Sequence, residues 1–328
     1  MSPHEPAVRE VVQRLLPPWA KPTVDDKGNL LVSFGQGGSS MVFVGHMDEV
    51  GYDISAIRDD GTATVRKRGG LMDAVYEARP VVVQTARGPV NAVMAPRVNY
   101  AKAAEAFPAP EDVYVYFGTD SRGETAALGV SAGDTLTVRK TFARLAGERA
   151  TGRSMDDRVG VSAMISALWR IDPARVPNRV TFAFVIGEET GLAGSAFVAG
   201  KSPADYAFAV DTSPSSDTPV DNPRLAFIKL GGGAAIIRGI DGSSIAPKPM
   251  IAALASLARL RGIPTVFGTN AGGTDAASFV PYGIATAGLS WPGRHSHSTV
   301  EVVDARDVAP LIRLIVAVAE AFPGTAAK

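Results

Sequence analysis

From Gly147 onward the sequence alternates short apolar runs with amphipathic stretches, a pattern that confines the chain to a sheet covered by helices on both faces. Helical periodicity spans 157–170, 192–198 and 249–261, and a last helix starts at Asp304, whose side chain can cap it. Its apolar face includes Val308, Leu311, Ile312 and Ile315. Residues 179–186, 206–210 and 284–290 read as buried strands. Upstream, Val8, Val11, Val12, Leu15 and Leu16 share one face of a helix stopped by Pro17 and Pro18. Residues 29–34 and 41–44 read as a hairpin-like pair around a Gly/Ser loop, the second strand apolar on both faces.

Between 51 and 147 the texture changes to short alternating segments such as TATVRKR, PVVVQTARGPVNAVM and DTLTVRK, with one helical pattern over 121–128 ended by Gly129. A chain of 328 residues exceeds what one core usually supports. The expected layout is an α/β domain of a mixed sheet flanked by helices, formed by 1–50 and 148–328, with a small β-rich domain inserted at 51–147.

Lys plus Arg and Asp plus Glu both number 33, so nothing in the net charge draws the chain to nucleic acid or an anionic membrane. Cysteine is absent, which removes disulfides, thiolate metal sites and cysteine nucleophiles and leaves His, Asp and Glu as metal-binding residues. No apolar run reaches the roughly 18 residues of a membrane span, and residues 1–10 are too polar for a signal peptide. Cytoplasm is therefore the expected location, with a leader removed beforehand as the alternative.

Three of the four histidines fall in two places, GHMDEVG and GRHSHSTVE. His46 ends an apolar strand, and in extended chain Asp48 points the same way, where it could orient the imidazole; local hydrogen bonding at a strand end is the plainer reading. In RSMDDRVG, Asp156 or Asp157 either caps the following helix or serves a metal. In VIGEETG, Glu188 and Glu189 follow the apolar FAFVI, and neighbouring side chains on a strand diverge. One could therefore bind a metal while the other acts as general base, or the pair is simply solvated. Asp211, in FAVDTSP, ends another apolar strand or begins a turn. His297 follows the 284–290 strand by a few residues, where a solvated loop histidine is the plainer reading of it alone. Ligands of open α/β sheets gather beyond the carboxyl ends of the strands, and His46, Glu188, Glu189 and Asp211 lie at such ends. Two imidazoles with several carboxylates and no sulfur suit a pair of divalent ions, zinc first, with cobalt or manganese as alternatives.

In that order HMDEVG, MDDRVG, GEETGLAGS, AVDTSP, GGTDAA and HSHSTVEVVD resemble the motifs of the TET-type and glutamyl aminopeptidases, peptidases with co-catalytic metal ions. The resemblance covers nearly the whole chain. It implies a zinc-exopeptidase-like fold, and it implies that the 51–147 insert is a PDZ-like domain involved in oligomerisation. By motif, His46 and His297 would each bind one ion, Asp156 would bridge both, and Glu189 and Asp211 would complete the two spheres. Glu188 would be the base, Asp48 would steady His46, and the Asp156–Asp157 peptide would be cis. Gly273, Thr274 and Asp275 match a loop near the substrate pocket. Departures are SPHE near the start, where the family has SGxE, and Gly187, Thr190 and Ala193, where members often carry Gln, Val and Arg.

The implied activity is hydrolysis of the N-terminal peptide bond of peptides by a water that two metals activate, in a homo-oligomer ranging from dimer to dodecamer. A related dinuclear amidohydrolase or deacylase acting on small acylated amino acids is the alternative. A glycoside hydrolase using paired acids and a non-catalytic scaffold stand further off.

Overall fold

The computed structural model describes residues 5–96, 113–215, 217–218, 228–270 and 272–324; the first three residues of the SPHE segment lie outside them. Helix α1 (Glu5–Leu15) and strands β1 (Thr23–Val24), β2 (Leu30–Phe34) and β3 (Ser40–His46) come first. The chain then enters a barrel of β4 (Gly51–Ile57), β5 (Ala63–Arg68), β6 (Arg79–Thr85), β7 (Gly88–Met94), β8 (Tyr114–Tyr116) and β9 (Thr135–Val138), with α2 (Arg122–Ala127) preceding the last strand. Strands β10 (Phe142–Arg144) and β11 (Arg149–Gly152) lead to α3 (Met155–Leu168), β12 (Arg179–Val185), α4 (Ala193–Lys201) and β13 (Tyr206–Pro214). Then follow β14 (Ala235–Asp241), β15 (Ser244–Ile245), α5 (Lys248–Leu260), β16 (Thr265–Asn270), β17 (Ala285–Gly293), β18 (Glu301–Asp304) and α6 (Ala305–Ala321).

Among the described residues a nine-stranded mixed sheet runs β1-β2-β12-β3-β13-β17-β14-β15, with β16 beside β14. Its centre, β12-β3-β13-β17, is parallel, so four carboxyl ends emerge on one edge. The strands alternate faces. Phe43, Phe182 and Phe208 turn to the side covered by α1, α3, α5 and α6, whereas Val44, Ala183, Val185 and Ala209 turn to the side of α4. On the first side Phe34, Phe182, Phe43 and Phe208 stack in sequence, centroids 4.8–5.9 Å apart. A fully buried parallel centre explains why these strands read as continuous apolar runs.

The hairpin expected from 29–34 and 41–44 does not form, because β12 lies between its two strands, antiparallel to β2 and parallel to β3. β12 is apolar on both faces and is buried by having a neighbour on each side. The Gly/Ser loop therefore crosses the approach to β12: Gln36 and Gly38 donate to the Val176 and Pro177 carbonyls. A side chain at Gly35 would lie 1.9 Å from the Asn178 carbonyl oxygen, and its φ is +96°. Strands β14 and β16 escaped the sequence reading, since AIIRGID and TVFGTN mix glycine and polar residues into short apolar runs.

The β-rich stretch forms a closed barrel, ordered β4-β5-β8-β7-β6-β9, around its own core of Tyr52, Val81, Val83, Met94, Val115 and Leu136. Ser121 caps α2 by accepting from the Glu124 amide. Beyond the barrel, β10 pairs with β11, and β11 with β18, in a separate three-stranded sheet. Among the described residues no helix is long and apolar enough to cross a membrane.

Candidate metal centre

Five chain segments deliver acidic and imidazole side chains to the carboxyl edge of the parallel strands. His46 is the last residue of β3, and the ladder continues past it, with the Met47 amide donating to the Val185 carbonyl. Asp48 lies 3.5 Å from His46 Nδ1 and accepts the backbone amides of Glu188 and Glu189, both at 3.1 Å. One buried carboxylate thus stands beside the imidazole and holds the turn after β12. Asn29 fixes the same turn, accepting from the Ile186 amide and donating to the Gly194 carbonyl. Gly194 has no room for a side chain, which would sit 2.4 Å from the Ile186 oxygen.

The two readings of the Asp156–Asp157 pair divide between the residues. Asp157 accepts from the Gly160 amide and starts the regular part of α3. Asp156 instead faces the edge of the sheet, and the peptide between them is cis. Its Oδ1 is 3.4 Å from His46 Nε2 and its Oδ2 is 3.6 Å from His297 Nε2. Asp211 Oδ1 and Glu188 Oε2 each stand 3.9 Å from His46 Nε2, and Glu189 Oε2 stands 3.3 Å from His297 Nε2. His46, Asp156 and Asp211 form one group able to hold a cation, and His46, Glu188 and Glu189 another.

These six residues line a cavity of about 700 Å³, together with Met72, Leu192, Thr212, Pro214, Asn270, Gly273 and others. Its described lining contains no Lys or Arg. Burial pushes the Asp211 carboxyl well above its ordinary range, with Asp156 and Asp157 adding to the effect. Burial likewise raises Glu188 to about 8 against the pull of His46, with Asp275 and Glu189 contributing. His297 is raised to about 10, chiefly through Glu189. Burial opposes charging His46, but Asp156 and Asp48 outweigh it and hold its pKa well above the usual range.

Of the three residues expected near the substrate, Gly273 lines the cavity. Thr274 and Asp275 are buried behind the wall: the Thr274 hydroxyl donates to Asp241 at 2.5 Å and accepts from the Ala276 amide. Several contributors had no role in the sequence reading. Ser296 donates to Asp156 Oδ2 at 2.6 Å, and Glu301 accepts the amides of both Asp156 and His297; both sit inside the HSHSTVE motif, where their nearness to His297 was the available signal. The Gly70 carbonyl, 2.8 Å from His297 Nδ1, comes from the turn after β5 and carries no signal at all. Ser154, Leu192, His295 and His297 adopt left-handed backbone, with φ between 61° and 65°; such non-glycine conformations gather at functional sites and persist where the surroundings hold them.

Behind Asp48, Glu49 contacts Arg153 and Ser154, with Arg158 at 3.9 Å. Burial raises the Glu49 pKa, but Arg153 and then Arg158 outweigh it and bring it down to about 2. A depressed carboxylate stabilises the fold fully above the ordinary glutamate range and loses that effect as pH falls toward 2. The gap in melting temperature between the wild type and Glu49→Gln is therefore expected to narrow as pH falls from 5 to 3 in thermal scans. A constant gap would remove the ion pair from the account.

A model of the M42 glutamyl aminopeptidase family matches residues 28–314. The TET1 peptidase of Pyrococcus horikoshii, described as assembling into a tetrahedron or a large octahedral shell, is 33% identical, with a TM-score of 0.88 over 97% of this chain and 94% of that one. An aminopeptidase from the archaeon Desulfurococcus kamchatkensis is 30% identical, with a TM-score of 0.88 over 100% and 94% of the two chains. The glutamyl aminopeptidase of Lactococcus lactis is 26% identical over 87% of this chain and 82% of its own.

Proposed function

Because the chain belongs to the M42 glutamyl aminopeptidase family, we propose that it removes N-terminal residues from peptides using two divalent cations held by His46, Asp156, Glu189, Asp211 and His297. The observation that carries this reading is Asp156: its two oxygens face two different imidazoles at 3.4 and 3.6 Å, the disposition of a bridging carboxylate. The donor set fits the ions. Imidazole and carboxylate without sulfur suit zinc, with cobalt or manganese as alternatives, and crowded carboxylates raised by burial and then by mutual repulsion are relieved by positive charge at their centre. His46 with Asp211 serves one position, His297 with Glu189 the other, and Asp156 both.

When bound, the ions supply Lewis acidity that eases deprotonation of water and stabilises negative charge on the substrate oxygen. Glu188, half-buried in the cavity wall, takes the proton from the attacking water. As the carbon–nitrogen bond of the first peptide unit breaks, the same carboxyl returns that proton to the departing amine. Asp48 holds Glu188 and Glu189 through their backbone amides and so fixes base and ligand together. The acidic wall of the cavity also suits the positively charged α-amine of a free N-terminus, which accounts for exopeptidase action. The barrel, spanning most of 51–147, is in this reading the PDZ-like oligomerisation domain, and the 1–50 and 148–328 segments form the catalytic domain. The shells described for the Pyrococcus relative support a homo-oligomer here.

Metal removal tests the reading. Treatment with a chelator is expected to abolish cleavage of aminoacyl anilides, and zinc, cobalt or manganese to restore it, while N-acetylated anilides stay intact throughout. Preferential cleavage of the acetylated substrates would instead favour a deacylase, and indifference to the chelator would overturn the metal mechanism.

A further inference from the structure

Glu301 opens β18, is 4% exposed, and lines no part of the cavity. Its two oxygens do different jobs. Oε2 accepts the backbone amide of Asp156 at 3.1 Å, and Oε1 accepts that of His297 at 2.9 Å. Those amides belong to loops more than a hundred residues apart in sequence, one carrying the carboxylate shared between the two cation positions and the other an imidazole of only one.

The backbone around Glu301 is built for this. Glu301 pairs with Gly152 across β11 and β18, which places it at the root of the loop leading to Asp156. That loop passes through Ser154 at φ +65°, and the opposing loop through His295 at +61° and His297 at +62°. L-residues rarely adopt such conformations, and they persist only where neighbouring contacts over-determine them. A neutral amide could not replace the carboxylate. A glutamine offers one acceptor oxygen and would turn its NH2 toward the other backbone N–H, whereas a carboxylate accepts on both sides. Ser296 adds a second link between the loops through Asp156 Oδ2.

Resting on the two-cation reading above, we propose that Glu301 is a positioning residue that sets the separation between Asp156 and His297, and thereby the affinity of the cation position formed by His297 and Glu189. It touches neither substrate nor cation and acts through the two backbone amides.

The test is zinc titration of the full-length apoprotein against a competing chelator, comparing wild type with Glu301→Gln, alongside the melting temperature of each apoprotein. Losing a residue that orients metal ligands typically costs about 10- to 100-fold in metal affinity. E301Q is expected to bind the weaker of its two zinc ions about 10- to 100-fold less tightly than the wild type binds its own, to hold the other within a few-fold, and to regain turnover when zinc is raised in proportion. If both affinities match the wild type, or if both fall equally along with the apoprotein melting temperature, the proposal is overturned, the second outcome marking a merely structural role. Should E301Q fold poorly, Glu301→Asp, whose shorter carboxylate cannot reach both amides in place, is expected to weaken the same ion, and unchanged affinities there would equally overturn the proposal. A wild type that binds fewer than two zinc ions would sink the two-cation reading instead, so the two failures are separable.

Discussion

Glu188→Gln is expected to keep both cations and to lose roughly 10²- to 10⁴-fold in kcat, the range supplied by one positioned general base. The side chain lines the cavity without being one of the five proposed ligands, and its Oε2 stands 3.9 Å from His46 Nε2. Burial, against the pull of His46, raises its pKa to about 8. Bound cations would relieve that rise, leaving a carboxylate placed to accept a proton from water and give it up again to the departing amine. Gln keeps the volume and one hydrogen-bond acceptor but cannot shuttle the proton. Metal analysis should therefore give wild-type stoichiometry for the inactive variant. If E188Q turned over normally, the base would lie elsewhere; if it lost a cation, Glu188 would have to be counted among the ligands.

The second large effect belongs to Asp156. Its oxygens face His46 and His297, so Asp156→Asn removes an anionic oxygen that both cation positions share. The variant is expected to bind fewer than two cations at micromolar zinc and to lose turnover on the order of 10³-fold or more, several kcal/mol of charge stabilisation being at stake. This loss should differ in kind from that of E188Q: raising the zinc concentration should restore part of it, whereas added metal should do nothing for the missing base. Stoichiometry by metal analysis and kcat as a function of zinc separate the two. Full metal content in the D156N variant would contradict the bridging role.

What could be read from sequence followed physical range. Buried parallel strands write their burial into continuous apolar runs, so 179–186, 206–210 and 284–290 were legible, and the residues at their carboxyl ends could be proposed as one site from the sheet rule alone. Helix α6, with its Asp304 cap, was equally plain. The order of strands was not. Pairing of β2 with β12 rather than β3 depends on which apolar face finds a partner across more than a hundred residues, and no local pattern encodes it. The supporting contacts were also silent, because the Gly70 carbonyl and the amides of Asp156, His297, Glu188 and Glu189 are backbone groups that every residue carries. In the Asp156–Asp157 pair the residue types allowed either role for either aspartate; the family motif pointed to Asp156 as the bridge, and the geometry gives the helix cap to Asp157 and the two imidazole contacts to Asp156.

The most direct measurement is anomalous diffraction at the zinc edge from crystals of the zinc-loaded enzyme. Two peaks are expected on either side of the Asp156 carboxylate, about 3.5–4 Å apart, one against His46 and Asp211 and the other against His297 and Glu189. A single peak, or peaks that leave Asp156 uncoordinated, would contradict the two-cation reading.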